Sequence, residues 1–222
     1  MIDVPILAAE GLVKTYEHGR VRALDGVSLI LAQGDFMSVS GPSGSGKSTL
    51  LHMLGALDRP DAGRVLLDGR DLGEEPRLDR VRAASIGFIF QLHNLLPALT
   101  AVENVELPLR ALRVPRRERR RRAGEMLDAV GLGDRLTHTP TELSGGQRQR
   151  VGVARALVNE PRVVLADEPT GDLDRESGRR IMELLQTLQE QRGLTLVLVT
   201  HDPELAATAP RRIRILDGRV VD

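Results

Sequence analysis

Apolar and polar residues alternate with two different periods along this chain of 222 residues, and each period predicts a different kind of element. Near the N-terminus the alternation has the strand period, around residues 7–16 and 27–31, with a polar turn at 17–19 between them. A further short strand over 65–69 ends in a turn. Together these segments predict a small antiparallel sheet.

Apolar runs without alternation predict a second, buried sheet. Residues 163–166 and 194–199 are typical of parallel strands covered on both faces, and the mostly apolar segments 36–40 and 86–90 predict two more buried strands. Between the first two runs, one helical face is apolar. It carries Ile181, Leu184, Leu185 and Leu188. This strand–helix–strand order predicts an α/β core with ligands at the carboxyl ends of the strands.

The middle of the chain changes to a helical period, from Thr100 to about Leu136. Thr100 and Glu103 have the spacing of a capping box, and Gly131 with Gly133 predicts the end of the helical segment. We see no internal repeat and no low-complexity linker, so the sequence predicts one domain over residues 1–222.

Composition excludes several classes of function. There is no cysteine, so neither a disulfide framework nor a thiolate metal site is expected, and the net charge of zero gives no argument for nucleic acid. No apolar run approaches the roughly 18 residues that span a bilayer, and residues 1–10 lack the pattern of a signal peptide. We therefore expect a cytosolic chain that only another polypeptide could hold at a membrane.

The first motif with chemistry matches G-x-x-x-x-G-K-[ST] and lies between the strand at 36–40 and an apolar helix. Its glycines let backbone N–H groups wrap phosphates, and the helix start adds further donors. We expect Lys47 to reach the β- and γ-phosphates, Ser48 to bind Mg²⁺ and Thr49 to contact the α-phosphate. A glycine turn that binds nothing is the alternative, and Lys47 and Ser48 in register argue against it. The predicted nucleotide-binding residues are Gly41, Pro42, Ser43, Gly44, Ser45, Gly46, Lys47, Ser48 and Thr49.

Polar residues directly follow three of the predicted apolar strands. Asp167 is placed to hold Mg²⁺ with Ser48, and Glu168 to act as general base on a water molecule. His201 could contact the γ-phosphate and position Glu168, and Gln91 could sense Mg²⁺ and the water. Each carboxylate alone could be a helix N-cap or part of a solvated turn, and for a lone His or Gln the structural interpretation would be favoured. Four such residues, each after an apolar strand, argue against coincidence.

A second anion site is predicted at Leu143-Ser144-Gly145-Gly146-Gln147, where a helix over about 146–158 begins. The Ser144 hydroxyl and the N–H groups of Gly145 and Gly146 lie at the positive end of that helix. The alternative is a serine N-cap followed by two glycines.

With these motifs in this order, the chain resembles an ATP-binding cassette (ABC) ATPase subunit over essentially its full length. The resemblance implies a P-loop NTPase fold with a RecA-like parallel-sheet core, a small antiparallel β lobe and an α-helical lobe at roughly 92–142. It implies that Tyr16 stacks on adenine, although by itself Tyr16 could be a core residue. It also implies that Ser144–Gln147 of one chain meet the ATP of another copy. Two copies then bury two ATP molecules head to tail, and Asp174 connects the two sites.

Residues 91–109 and 168–174 resemble the lipoprotein-release and macrolide-export subfamily, which pairs with a separate integral-membrane permease. His93 and Asp172 depart from the usual aromatic and Asn. The resemblance implies an ATPase that uses ATP and Mg²⁺, forms a homodimer and drives export or mechanotransmission, peripherally at the cytoplasmic face of the inner membrane. A cell-division-type regulatory ATPase is the alternative. A soluble cassette acting on DNA or ribosomes is disfavoured, because no long coiled-coil insertion is present.

The run Arg116–Arg122 contains six Arg and one Glu. A solvated helix face is the simpler interpretation, and contact with anionic lipid head groups is the alternative.

Overall fold

The computed structural model describes residues 4–221, and within that range the chain forms ten strands and eight α-helices. The strands are β1 Leu7–Tyr16, β2 Val21–Leu31, β3 Phe36–Ser40, β4 Ala62–Leu67, β5 Arg70–Asp71, β6 Ile86–Phe90, β7 Val163–Asp167, β8 Thr195–Val199, β9 Arg211–Leu216 and β10 Arg219–Val220. The helices are α1 Lys47–Leu54, α2 Leu78–Ser85, α3 Ala101–Val105, α4 Leu107–Ala111, α5 Arg116–Ala129, α6 Gly145–Leu157, α7 Arg175–Arg192 and α8 Pro203–Ala207.

The strands form two sheets, as the two periods of the sequence predicted. One sheet has the order β10-β9-β3-β8-β7-β6, in which β9, β3, β8, β7 and β6 are parallel and β10 returns antiparallel to β9. The other has the order β2-β1-β4-β5 and is antiparallel throughout. The predicted P-loop NTPase architecture is confirmed in both its parallel core and its antiparallel lobe.

The parallel sheet is buried on both faces, because alternate residues of each strand enter different cores. Val164, Ala166 and Leu196 pack with helices α3 to α7. Leu165 and Val197 point the other way, into a core shared with α1 and the antiparallel sheet. Helices α1 and α6 consequently lie on opposite faces of the same sheet.

The helical middle of the chain is divided into α3, α4 and α5. The capping box that starts α3 is present, with Thr100 and Glu103 each bonding the other's backbone N–H. Pro108 lies in the first turn of α4 and Pro115 immediately precedes α5, where a missing N–H is tolerated. These prolines explain why one helical period gives three helices. The limits of the helical lobe, 92–142, stay a prediction.

Strand boundaries differ from the sequence prediction at the antiparallel sheet. β2 starts at Val21, six residues before the apolar alternation. Its first half is held by pairing with β1, and of the residues 21–26 Leu24 alone is buried. β9 was not predicted, since the sequence RRIRIL carries three arginines. A strand that is held by backbone pairing while most of its side chains are exposed leaves little apolar signal.

The arginine run lies on α5 and is largely ion-paired. Arg121 bonds both Glu118 and Glu125, and Arg122 also bonds Glu118. Hydrogen bonds from these two arginines lower the pKa of Glu118 to about 2. These ion pairs on an exposed helix face agree with the interpretation of the run as a solvated helix face. Contact with lipid head groups stays a prediction. No helix in residues 4–221 is long and apolar enough to cross a bilayer.

Candidate functional site

The glycine-rich loop between β3 and α1 has a backbone that strongly favours glycine. Gly41, Gly44 and Gly46 have φ of +149°, +77° and +106°. A Cβ at Gly41 would stand 2.2 Å from the carbonyl oxygen of Ile215, and one at Gly46 would stand 2.2 Å from that of Ala23. The loop is therefore wedged between β9 and β2 and presents its backbone, without side chains at these positions, to a ligand.

Lys47 and the start of α1 give this loop its anion-binding character. The buried Lys47 Nζ donates to the carbonyl oxygens of Gly41 and Pro42, at 2.9 Å and 2.8 Å. The N-cap Gly46 provides no side-chain cap, so the first N–H groups of α1 have no side-chain partner there. The hydroxyl of Ser45 is buried without a hydrogen-bond partner among the described residues. One cation and several free donors on one loop fit a polyphosphate.

Ser48 and Asp167 meet at the edge of the loop. The Ser48 hydroxyl donates to Asp167 Oδ1 at 3.2 Å, joining the first turn of α1 to the end of β7. Burial raises the pKa of Asp167, and the hydrogen bond from Ser48 opposes this effect. A hydroxyl and a carboxylate oxygen that converge beside a phosphate cradle fit the oxygen preference of Mg²⁺.

Glu168 is oriented by residues at the end of β8. Its Oε1 accepts from the His201 backbone N–H at 2.8 Å and lies 2.7 Å from His201 Nδ1. Its Oε2 accepts from the buried Thr200 hydroxyl at 3.2 Å. The structure thus brings together Glu168 and His201, as the sequence predicted. Thr200 was missed, although its position between an apolar strand and His201 is a usable signal.

Gln91 follows the strand next to Asp167, but its side chain turns elsewhere. Phe90 is the register partner of Asp167 across β6 and β7. The amide Nε2 of Gln91 donates to Asp172 Oδ1 at 3.2 Å, rather than to the Ser48–Asp167 pair. The expected contact of Gln91 with Mg²⁺ and water therefore stays a prediction, and Asp172 is a partner that the sequence did not reveal.

Tyr16 ends β1 and is 37% exposed. Its hydroxyl donates to Asp58 Oδ2 at 3.1 Å, and Lys14 Nζ lies 5.3 Å from the ring centroid while bonding the same carboxylate. Burial and the hydrogen bond to Asp58 raise the pKa of Tyr16. A half-exposed ring held at one edge can offer a face to a base, so stacking on adenine stays the prediction for Tyr16.

The second motif opens α6 as predicted, one residue earlier. Ser144 is the N-cap: its hydroxyl accepts from Gln147 N–H at 3.2 Å, and Gln147 Oε1 accepts from Ser144 N–H at 2.8 Å. A Cβ on Gly145 would stand 3.4 Å from Leu173. Since α6 and α1 occupy opposite faces of the sheet, the motif does not share a site with the glycine-rich loop of its own chain.

Asp174 begins α7 and caps it. Its Oδ1 accepts from the backbone N–H groups of Glu176 and Ser177, both at 3.0 Å. Hydrogen bonds from Ser177 lower the pKa of Asp174. Ser177 also lies beside Gly146, where a Cβ would stand 3.4 Å from its hydroxyl oxygen. Asp174 therefore caps the helix whose first turn contacts the second motif, through Ser177 and Gly146.

Comparison with known proteins gives the same family throughout. The family model described as ABC transporter matches residues 24–171. An uncharacterized ABC transporter ATP-binding protein of Thermotoga maritima is 54% identical, over 93% of this chain and 90% of that protein. The lipoprotein-releasing system ATP-binding protein LolD of Bordetella avium is 48% identical, over 97% and 95%. The macrolide export ATP-binding/permease protein MacB of Brucella melitensis is 47% identical over the whole chain, which spans 35% of that protein.

A solved structure agrees with the sequence relatives. The ATP-binding cassette MJ0796, in a dimeric post-hydrolysis state bound to ADP and Pi, superposes with a TM-score of 0.88 at 44% identity over 97% of both chains. The chain therefore belongs to the ABC transporter family and is one of its ATP-hydrolysing, ATP-binding subunits.

Proposed function

We propose that this chain closes as a homodimer around two Mg-ATP and uses their hydrolysis to drive a separate membrane permease of the lipoprotein-release and macrolide-export type. Relatives described as LolD and MacB support the subfamily, because they match nearly all of this chain. The MacB relative joins an ATP-binding part and a permease in one protein. These relatives are transport systems, so the regulatory cell-division alternative gains no support from them.

The observation that carries the proposal is the placement of α1 and α6 on opposite faces of one sheet. A chain that binds phosphate at Lys47 cannot bring its own Ser144 to the same phosphate. A second copy, packed head to tail, supplies the missing half. The dimeric assembly of the related cassette MJ0796 supports this arrangement.

Within each composite site, every residue has a role in line with its contacts. The backbone of the glycine-rich loop and the Lys47 ammonium would hold the phosphates, and Ser48 with Asp167 would hold Mg²⁺. Mg²⁺, when bound, neutralises charge on the β- and γ-phosphates. Glu168 would accept a proton from the attacking water. His201 and Thr200 keep its carboxylate in one orientation, so less reorganisation is needed during the reaction.

A groove beside Gln91 is where we place the permease. It is a cavity of about 310 Å³ whose lining combines charged and amide side chains with the apolar Leu57, Phe88, Phe90 and Pro108. Phe88 and Phe90 stack with centroids 5.5 Å apart. Apolar surface next to Gln91 would let a movement of the segment after β6 reach a bound partner, which would hold this chain at the cytoplasmic face of the membrane.

The experiment is to replace Glu168 by Gln and measure the mass of the particle by light scattering with Mg-ATP. We expect ATP turnover to fall by about a hundredfold or more, because the proton acceptor is lost, and a stable dimer to appear. The matched control is Glu168→Gln combined with Lys47→Ala, which should stay monomeric with the same nucleotide. Full turnover by the single variant would disprove the assigned base. A monomer under all conditions would disprove the composite site.

A further inference from the structure

Gln149 is a buried polar residue that joins three parts of the site. It lies in the second turn of α6 and is fully buried, with 0% of its surface exposed. Its Nε2 donates to the carbonyl oxygen of Pro169 at 2.6 Å and to that of Phe90 at 3.4 Å. Phe90 immediately precedes Gln91, and Pro169 immediately follows Glu168. One amide on the helix that starts with Ser144 thus holds the backbone beside both residues of the predicted hydrolysis site.

The other end of this amide faces His93. Gln149 Oε1 and His93 Nδ1 are both buried and have no hydrogen-bond partner within residues 4–221. Burial lowers the pKa of His93, and the Gln149 side chain opposes this effect. His93, the departure from the subfamily pattern, lies close to this end of Gln149: a Cβ on Gly152 would stand 3.8 Å from both Gln149 Oε1 and the His93 carbonyl oxygen.

A second residue of α6, Arg155, holds the turn that follows β6. His93 and Asn94 both have positive φ, at 62° and 49°. Arg155 donates to the carbonyl oxygens of these two residues, at 2.7 Å and 2.5 Å. A strained turn persists only where its surroundings hold it. The segment after β6 is therefore attached to α6 at two levels, through Gln149 and through Arg155.

We propose that Gln149 is a positioning residue that couples the start of α6 to Gln91 and Glu168 of the same chain. An unpaired buried amide or carbonyl is expensive, so the helix and both segments move as one unit. This inference rests on the proposed function, in which Ser144 meets the ATP of the second copy. Contact at Ser144 then sets the geometry of hydrolysis at the other ATP, held by the chain that carries Gln149.

The test replaces Gln149 by Met, which has a similar length and lacks both the donor and the acceptor. We expect kcat for ATP hydrolysis to fall by about tenfold, as for small misplacements of a catalytic group, with KM for ATP changed less than about twofold. Amide hydrogen exchange should become faster in both segments, 91–94 and 169–174. The matched control is Val153→Ala on the same helix, which is equally buried and removes only apolar contacts. It should lower the melting temperature and leave kcat unchanged.

Two results would overturn the inference. One is an unchanged kcat in Gln149→Met. The other is a loss of kcat in Val153→Ala that matches the loss in Gln149→Met at the same loss of melting temperature, because that loss would be structural. Should the methionine variant fail to fold, Gln149→Glu keeps the side-chain length, replaces the amide donor by a carboxyl oxygen and tests the same bonds. A wild-type protein that does not hydrolyse ATP would instead refute the proposed function.

Discussion

At the scale of single residues, Asp167 and Glu168 are neighbours in sequence with opposite surroundings. Glu168 receives hydrogen bonds from Thr200 and from the backbone of His201, whereas among residues 4–221 the Asp167 carboxylate has only the Ser48 hydroxyl as a side-chain partner. Burial accordingly raises the pKa of Asp167. A poorly compensated carboxylate is suited to a cation, and it costs stability when no cation is bound.

The sign of this effect can be tested with Asp167→Asn. Because the pKa of Asp167 is higher in the folded than in the unfolded protein, the stability from its protonated form is present below the unfolded pKa and lost as pH rises through the folded pKa. Near neutral pH the substitution should therefore raise the melting temperature of the nucleotide-free protein while abolishing Mg-dependent turnover. The gain should shrink in acid, as thermal denaturation at several pH values would show.

Asp58→Asn is the control of opposite sign. Against the effect of burial, hydrogen bonds from Lys14 and Arg59 hold the pKa of Asp58 below its ordinary value. Its charged form is stabilising near neutral pH, so Asp58→Asn should lower the melting temperature there. If both variants shifted the melting temperature in the same direction, the assignment of Asp167 as the unfavourable charge would be wrong.

At the scale of elements, the glycine-rich loop depends on strands from both ends of the chain. Ala23 of β2 and Ile215 of β9 stand against it, and the N–H of Gly218, between β9 and β10, donates to the Ser45 carbonyl at 2.9 Å. The nucleotide loop is thus built into the junction of the two sheets, so a change in either sheet is felt by the loop.

Two alanine substitutions distinguish the cost of the contact between the loop and β2 from the cost of a positive φ. Gly44→Ala meets no atom within 4 Å and should cost about 1–2 kcal/mol for its positive φ alone. Gly46→Ala must in addition displace β2, so we expect a loss of about 3 kcal/mol or more. Urea denaturation of both variants measures the difference. Equal losses would show that the contact with β2 carries no weight.

The sequence predicted those elements and residues that the local pattern of apolar and polar positions reveals. The parallel strands other than β9 were predicted because residues such as Val164 and Leu165 are apolar on both faces. Glu168 and His201 were singled out because they follow such strands. Gln149 and Thr200 were missed. The carbonyls that Gln149 bonds are 20 and 59 residues away, and no local period records such a distance. A polar residue buried by its tertiary contacts looks, in sequence, like an exposed one.

At the scale of the whole molecule, one sheet separates two layers with different tasks. The layer with α1 and the antiparallel sheet holds the glycine-rich loop, and the layer with α3 to α7 holds Ser144 and, through α4 and α6, one side of the groove beside Gln91. Gln149 and Arg155 attach the segment after β6 to the second layer. In the proposed dimer, ATP bound by one copy contacts Ser144 of the second copy. Gln149 and Arg155 of that second copy then pass the movement to the segment after β6, which faces the permease.

The same division has a genetic consequence. A chain with Lys47→Ala and a chain with Ser144→Arg would each be inactive as a pure homodimer, since each composite site carries one lesion. In a mixed dimer, both lesions fall in one site and the other site is intact. With equal amounts of the two chains and random pairing, about half of the dimers are mixed, so about a quarter of all sites should be intact. Two inactive alleles would then complement each other in one cell. If each site were built from a single chain, the two alleles together would stay inactive.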